Sequence, residues 1–150
     1  MKKLFLFITV VLFLASCGGG SGNNKASQSE SEHESMEGNS IDQGVMEAGA
    51  NLYRAHCLAC HQTDGSGNPG MYPPLRQTEF ILGEKDTLIK IVLNGLQGPV
   101  EVLGEEYNSV MAPYNFLTDR EISDLLTYVR NSFGNNADAV SPSEVAAARN

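Results

Sequence analysis

The spacing of apolar side chains predicts a helical protein. One segment shows the pattern most clearly, with apolar side chains at three- and four-residue intervals: Ile122, Leu125, Leu126, Val129 and Phe133. This period is typical of a helix with one buried face. Thr118 or Asp119 can cap its start, and Gly134 is placed to end it. We therefore predict a last main helix that runs through Phe133.

Two further main helices are predicted upstream, over about 43–56 and over 85–93, the latter stopped by Asn94 and Gly95. The stretch from Gly95 to Met111 is rich in Gly and Pro and predicts a loop or a short hairpin. Ser141-Pro142-Ser143-Glu144 resembles a capping box and predicts a short helix to Arg149.

The N-terminus has the pattern of an export signal. Two lysines precede an apolar run over 4–15, and twelve helical residues reach ~18 Å, short of the ~30 Å hydrocarbon core of a bilayer. This predicts a cleaved signal over 1–16. Leu14-Ala15-Ser16-Cys17 resembles the lipobox of bacterial lipoproteins, which implies a diacylglyceryl group on Cys17. The alternative is an ordinary cleaved signal with an incidental cysteine.

Residues 17–41 are predicted to form a flexible linker behind that cysteine. The segment consists mostly of Gly, Ser, Asn and Glu, and it cannot bury enough apolar surface to offset the entropy lost on ordering. A linker of this composition reaches roughly 27 Å on average. We therefore expect a disordered tether that joins a membrane anchor to a small globular domain.

The charge and composition of the chain indicate which kinds of molecule it can bind. The chain has 150 residues, 41% of them hydrophobic, and a net charge of −8. Nucleic-acid binding requires a basic surface, which an acidic protein lacks. We therefore expect no nucleic acid among the partners. The excess of carboxylates instead predicts partners with Lys- and Arg-rich docking surfaces. The three cysteines are too few for a disulfide scaffold.

Two of these cysteines form the motif that carries chemistry, Cys57-Leu58-Ala59-Cys60-His61. C-x-x-C-H is the attachment signature for c-type haem. Positions i, i+3 and i+4 share one face of a helix, so both thiols and the imidazole can address one flat cofactor. A thioredoxin-like dithiol and a zinc site are the alternatives. The first expects a preceding strand and the second expects another pair of ligands, and neither is visible in the sequence.

Residues 42–135 resemble a class I cytochrome c domain. The resemblance extends beyond the haem motif to three segments: Gly49-Ala50-Asn51-Leu52-Tyr53, Tyr72-Pro73-Pro74-Leu75 and Leu117-Thr118-Asp119-Arg120-Glu121-Ile122. It implies an all-α small cytochrome c fold, in which three main helices surround one covalently attached haem c. Residues 136–150 then form a C-terminal tail.

The resemblance also implies roles for particular residues. His61 and Met111 would be the axial ligands of the iron, and Cys57 and Cys60 would carry the haem. The carbonyl of Pro73 would accept a hydrogen bond from the His61 imidazole, and the hydroxyl of Tyr107 could reach a haem propionate.

Two helix contacts and a cavity lining are implied as well. Gly49 and Tyr53 would meet Leu125 and Tyr128 where the first and last helices cross. The middle helix would line the haem crevice through three residues: Leu88, Ile91 and Val92.

The function expected from this reading is that of a membrane-anchored, one-electron carrier and not an enzyme. It would lie in the bacterial cell envelope, facing the periplasm, and serve redox proteins such as a terminal oxidase, a reductase or a dehydrogenase. Two other hypotheses stay open. One is a haem enzyme or gas sensor without Met111 on the iron, and the other is an assembly lipoprotein in which the haem is incidental.

Overall fold

The computed structural model describes residues 41–149. The predicted signal, Cys17 and almost all of the predicted linker lie outside this range. The described chain contains six helices and one hairpin: α1 (Gln43–His56), α2 (Leu58–His61), α3 (Glu79–Leu82), α4 (Lys85–Asn94), β1 (Val100–Val102), β2 (Glu105–Tyr107), α5 (Asp119–Arg130) and α6 (Pro142–Ala148). The predicted all-α class and the three main helices α1, α4 and α5 are confirmed.

The crossing of α1 and α5 forms the centre of the core. A Cβ atom on Gly49 would lie 2.5 Å from the Cβ of Tyr128 and closer still to the carbonyl oxygen of Asp124, so only glycine fits at this crossing. The ring of Tyr53 is buried one turn later, with its centroid 5.7 Å from that of Tyr128. The expected contact of Gly49 and Tyr53 with Tyr128 is confirmed. The backbone carbonyl of Asp124 is the other nearest neighbour of Gly49.

Helix α5 begins where the sequence predicted and ends earlier. The Thr118 hydroxyl and the Glu121 carboxylate cap its start as a reciprocal pair. The prediction that the helix continues through Phe133 to a cap at Gly134 is wrong, because the helix ends at Arg130 and Phe133 has a φ of +59°. Two asparagine side chains explain why the helix ends at Arg130.

Both asparagine amides bind carbonyls at the end of α5. The Asn131 side chain donates to the carbonyl of Thr127 at 3.0 Å, and Asn135 donates to that of Val129 at 2.8 Å. Side-chain donors of this kind compete with the backbone N–H groups that would extend the helix. The Phe133 ring still packs on Tyr53, at a centroid distance of 5.1 Å.

The C-terminal residues pack against the rest of the described chain. Ser141 and Glu144 form the predicted capping box of α6, and Val145 on this helix is fully buried in the core. Lys85 forms an ion pair with Glu144 at 2.5 Å. The Lys85 ammonium and the Ser141 backbone N–H lower the pKa of Glu144 to about 2. Because α6 supplies core side chains, the tail belongs to the same packing unit as α4 and α5.

The short hairpin supplies part of one cavity wall. Its antiparallel register pairs Val100 with Tyr107 and Glu101 with Glu106. The side chains of successive strand residues alternate between the two faces, so Val100 and Val102 face one way and Glu101 faces the other. Among residues 41–149, no helix is long and apolar enough to cross a membrane.

Candidate functional site

A cleft of about 900 Å³, open to solvent in part, lies between the helices and the hairpin. Its lining is mostly apolar, as is typical of ligand and cofactor sites. Five predicted site residues contribute to this lining: Cys57, Cys60, His61, Pro73 and Met111. The structure thus brings together residues that are up to 54 positions apart in the sequence.

The two cysteines and His61 reach the cleft from the junction of α1 and α2. Cys57 closes α1, with its N–H donating to the Tyr53 carbonyl, and its own carbonyl accepts from the N–H of His61 at 2.9 Å. Burial and, to a lesser degree, the neighbouring Cys60 raise the pKa of the Cys57 thiol to about 12. A catalytic dithiol needs a thiol of lowered pKa, so this environment disfavours the thioredoxin-like reading.

The zinc reading finds no support within the described range. Residues 41–149 contain no group of three or more His, Cys, Asp or Glu side chains placed to hold a metal ion. The four-ligand shell of a structural zinc site is therefore missing around Cys57 and Cys60.

The imidazole of His61 is fixed by one hydrogen bond. Its Nδ1 lies 3.0 Å from the carbonyl oxygen of Pro73. A carbonyl oxygen can only accept, so Nδ1 carries the proton and Nε2 keeps a free lone pair. Burial lowers the pKa of His61, although the bond to Pro73 acts in the opposite direction. The side chain is therefore held as a neutral imidazole, the form that binds a metal.

Gly67 brings the Pro73 carbonyl to that position. Its N–H donates to the carbonyl of His61 at 3.1 Å, and its φ is +67°. A Cβ atom here would lie 2.6 Å from both the carbonyl carbon and the carbonyl oxygen of Pro73, and closer still to the carbonyl oxygen of Tyr72. Sequence reasoning missed Gly67, because the segment also contains Gly65 and Gly70 and nothing in its composition distinguishes the three.

Met111 reaches the cleft from a different segment. Its backbone exchanges two hydrogen bonds with Leu96, of 2.9 and 3.0 Å. The described residues contain Met46, Met71 and Met111, and among these only Met111 lines the cleft. Met71 has 47% of its surface exposed. Met111 is therefore the methionine that the fold places with His61 and the two cysteines.

Tyr107 is not part of the group formed by Cys57, Cys60, His61 and Met111. Its side chain is buried, but its hydroxyl donates to the Glu105 carboxylate at 2.9 Å. The other oxygen of that carboxylate accepts from the N–H of Gly70 at 3.0 Å. Tyr107 is not among the residues that line the cleft. The structure thus shows Tyr107 supporting the hairpin through Glu105, and its predicted contact with a propionate stays a prediction.

The apolar walls of the cleft come from four elements. The expected Leu88, Ile91 and Val92 of α4 are present. Side chains from α5, the hairpin and α3 complete the walls: Leu125, Leu126, Val129, Val100, Val102, Phe80 and Ile81. Such a lining excludes water and suits a flat apolar cofactor.

The comparisons with known proteins agree with this site. The family model described as Cytochrome c matches residues 46–133, which is more than half of the chain. This chain belongs to the cytochrome c family. The family's domain is an electron-transfer module, and its cofactor is covalently bound haem c.

Several relatives are individually similar. The chain is 41% identical over 90 residues to cytochrome c-552 of Thermus thermophilus, covering 57% of this chain and 68% of that protein. It is 33% identical over 106 residues to the cytochrome c subunit of the quinone alcohol dehydrogenase of Gluconobacter oxydans, covering 68% of this chain and 22% of that subunit. It is 25% identical over 101 residues to the cbb3-type oxidase subunit FixP of Sinorhizobium medicae, covering 66% of this chain and 34% of that subunit.

The residues present fit haem c. Cys57, Cys60 and His61 line one cleft from a single short segment, which matches the donor set of two thiols and one imidazole. Both thiols are free of any disulfide, as covalent attachment requires. In a cytochrome c of this kind, the two cysteines would carry the haem and His61 would be the ligand from the same segment.

We expect Gly67→Ala to raise the reduction potential of the haem-loaded cytochrome. The new methyl group would displace the Pro73 carbonyl and weaken its bond to His61. A ligand imidazole that donates to a carbonyl is more basic and favours ferric iron, so loss of the bond favours the ferrous form. A stability loss on the order of 1–3 kcal/mol should accompany the shift. Redox titration of the α band and denaturant unfolding measure the two effects.

Gly70→Ala is the matched control for this variant. Gly70 has a similar φ of +70°, but nothing lies within 4 Å of the position that its Cβ would take. Alanine at position 70 therefore introduces similar backbone strain but no steric clash. A potential that moves equally in both variants would contradict the role given to Gly67.

Proposed function

We propose that this chain is a membrane-anchored, mono-haem cytochrome c that carries single electrons between respiratory redox partners outside the cytoplasm. His61 and Met111 serve as its axial ligands. One observation supports this most strongly: His61 and Met111 line one mostly apolar cleft together with Cys57 and Cys60.

Each of these residues has a defined task. The Cys57 and Cys60 thiols hold the cofactor covalently. The bond from His61 to Pro73 keeps Nε2 available as a ligand, and the thioether of Met111 fills the second axial position. The bound haem supplies a one-electron ferric/ferrous couple, and a Met ligand raises its potential. With both axial positions taken by the chain, no site is left for a substrate, which favours a carrier over an enzyme or a gas sensor.

The charge of the protein supports a basic partner. Five cations of the described residues are engaged in ion pairs with carboxylates: Arg76–Asp64, Lys85–Glu144, Lys90–Asp86, Arg120–Asp124 and Arg149–Asp119. The overall net charge is −8. The excess of negative charge attracts Lys and Arg on another protein, which accelerates encounter at low salt.

The names of the relatives indicate what kind of partner this is. They include cytochrome subunits of an alcohol dehydrogenase, of a gluconate 2-dehydrogenase and of a cbb3-type oxidase. We therefore infer that a dehydrogenase, an oxidase or a reductase exchanges electrons with this chain.

A redox titration of the haem-loaded protein tests the carrier function. The α band should follow a single one-electron curve that accounts for one haem per chain. Two waves, or a curve that requires two electrons, would contradict a mono-haem carrier.

Lipid attachment at Cys17 is tested with a fatty-acid label. Cells fed an alkyne-tagged fatty acid should label the wild-type protein and the linker variant Ser21→Ala, whereas Cys17→Ala should carry no label, because only Cys17 follows the lipobox-like residues. Label on Cys17→Ala, or none on the wild type, would refute the anchor. Cell fractionation in the same experiment shows which membrane holds the protein.

A further inference from the structure

We propose that Tyr114 is a positioning residue that holds the Met111 loop, residues 108–118, against the segment that carries the cysteines. The proposal rests on the proposed function, since it concerns how firmly Met111 is kept at its axial position.

Tyr114 is bonded at two points. Its hydroxyl donates to the carbonyl of His56 at 2.8 Å, and its backbone N–H donates to the carbonyl of Val92 at 2.9 Å. Its ring lines the cleft and lies 5.7 Å from the His56 imidazole, centroid to centroid. Tyr114, three positions after Met111, is thus joined to His56, which immediately precedes Cys57.

The other anchors of the loop reach different elements, including Arg149 at the end of α6, which donates to the carbonyls of Asn115 and Leu117. The backbone bonds of Met111 go to Leu96, just after α4, and the N–H of Tyr114 goes to Val92 on α4 itself. Within residues 41–149, the Tyr114 hydroxyl makes the side-chain hydrogen bond that joins the Met111 loop to α1. Without it, hydrogen bonds would tie the loop to α4, Leu96 and Arg149 but not to the end of α1 next to the cysteines.

The partner of the hydroxyl explains why this bond forms. His56 is the last residue of α1, and the carbonyls at a helix end have no partner within the helix. The hydroxyl satisfies this half-buried carbonyl. Burial raises the pKa of Tyr114, so the group stays protonated and able to donate.

We expect Tyr114→Phe to increase the apparent affinity of the ferric holoprotein for imidazole by roughly three- to tenfold. Imidazole can bind only when Met111 has left its position, so its apparent affinity follows the population of the open loop. One net hydrogen bond changes such a population by about this factor. Phenylalanine keeps the ring that lines the cleft, so the variant should fold. Absorbance changes at increasing imidazole concentration give the affinity.

Tyr53→Phe is the matched control. The Tyr53 hydroxyl also donates to a backbone carbonyl, that of Gln62 at 2.6 Å, but it does not touch the Met111 loop. Its loss should lower the thermal midpoint and leave the imidazole affinity unchanged. This control separates positioning of the loop from a general loss of stability.

A double-mutant cycle completes the test. In a Met111→Ala background no methionine competes with imidazole, so adding Tyr114→Phe should no longer change the affinity. An unchanged affinity in Tyr114→Phe alone would overturn the proposal, as would an increase that persists without Met111. If Met111→Ala alone leaves the imidazole affinity of the wild type unchanged, the axial assignment itself fails.

Discussion

Met111→Ala should lower the reduction potential by a few tenths of a volt, within the range of about 0.8 V that axial ligands span. Thioether sulfur is a soft ligand that stabilises ferrous iron, and alanine offers no replacement. Loss of this side chain also leaves one axial position to external ligands. Redox titration of the α band measures the shift, and carbon monoxide binding to the reduced protein measures access.

Met71→Ala is the control for this experiment. Met71 lies 40 positions earlier in the chain, is 47% exposed and does not line the cleft. Its replacement should leave both the potential and the carbon monoxide reaction as in the wild type. A large shift in Met71→Ala with none in Met111→Ala would reassign the ligand.

Gly49→Ala is expected to cost about 2 kcal/mol of unfolding free energy. The added Cβ would lie 2.5 Å from the Cβ of Tyr128 and even closer to the Asp124 carbonyl oxygen, which is backbone and cannot rotate away. Overpacking typically costs about 1–3 kcal/mol, and this clash with backbone should lie at about 3 kcal/mol because α1 and α5 would have to separate. Alanine recovers about 1 kcal/mol through its higher helix propensity, which limits the net loss. Denaturant unfolding of the holoprotein measures this loss of unfolding free energy.

Gly44→Ala provides the comparison within the same helix. Its Cβ would meet only a carboxylate oxygen of Asp42, at 2.9 Å, and that side chain can move. Some capping by Asp42 is then lost while helix propensity is gained, so the net change should stay below about 1 kcal/mol. Equal losses in the two variants would show that the α1–α5 crossing does not depend on Gly49.

Features with a local cause could be predicted from the sequence. The bounds of α1 match the prediction, and α4 extends one residue beyond it. The capping box at Ser141 forms as the sequence indicated, and Thr118, one of the two predicted candidates, caps α5; in both cases the partners lie within three residues. The grouping of Cys57, Cys60 and His61 on one wall follows from helical geometry alone.

Features that depend on distant partners could not be predicted. Helix α5 ends early because Asn135, beyond the helix, binds the Val129 carbonyl. The Tyr107 hydroxyl donates to the Glu105 carboxylate, which is itself held by the N–H of Gly70, 35 positions away. Gly67 and Tyr114 owe their roles to the Pro73 and His56 carbonyls, and neither contact has a signature in the local sequence.

The placement of Met111 could be predicted in part. The resemblance to class I cytochromes c pointed to it, although Ala112 stands where the family usually has proline. The fold accommodates this difference, because the paired backbone bonds with Leu96 use the N–H and C=O of Met111 itself. Gly95, with a φ of +74°, allows this close approach.

The optical spectrum of the purified holoprotein, with and without carbon monoxide, tests the central claim most directly. A carrier with His61 and Met111 on the iron should give a low-spin ferric spectrum with a weak far-red sulfur-to-iron band. The reduced form should show a sharp α band that carbon monoxide leaves essentially unchanged. A high-spin ferric spectrum with rapid carbon monoxide binding would contradict the account and favour a haem enzyme or gas sensor.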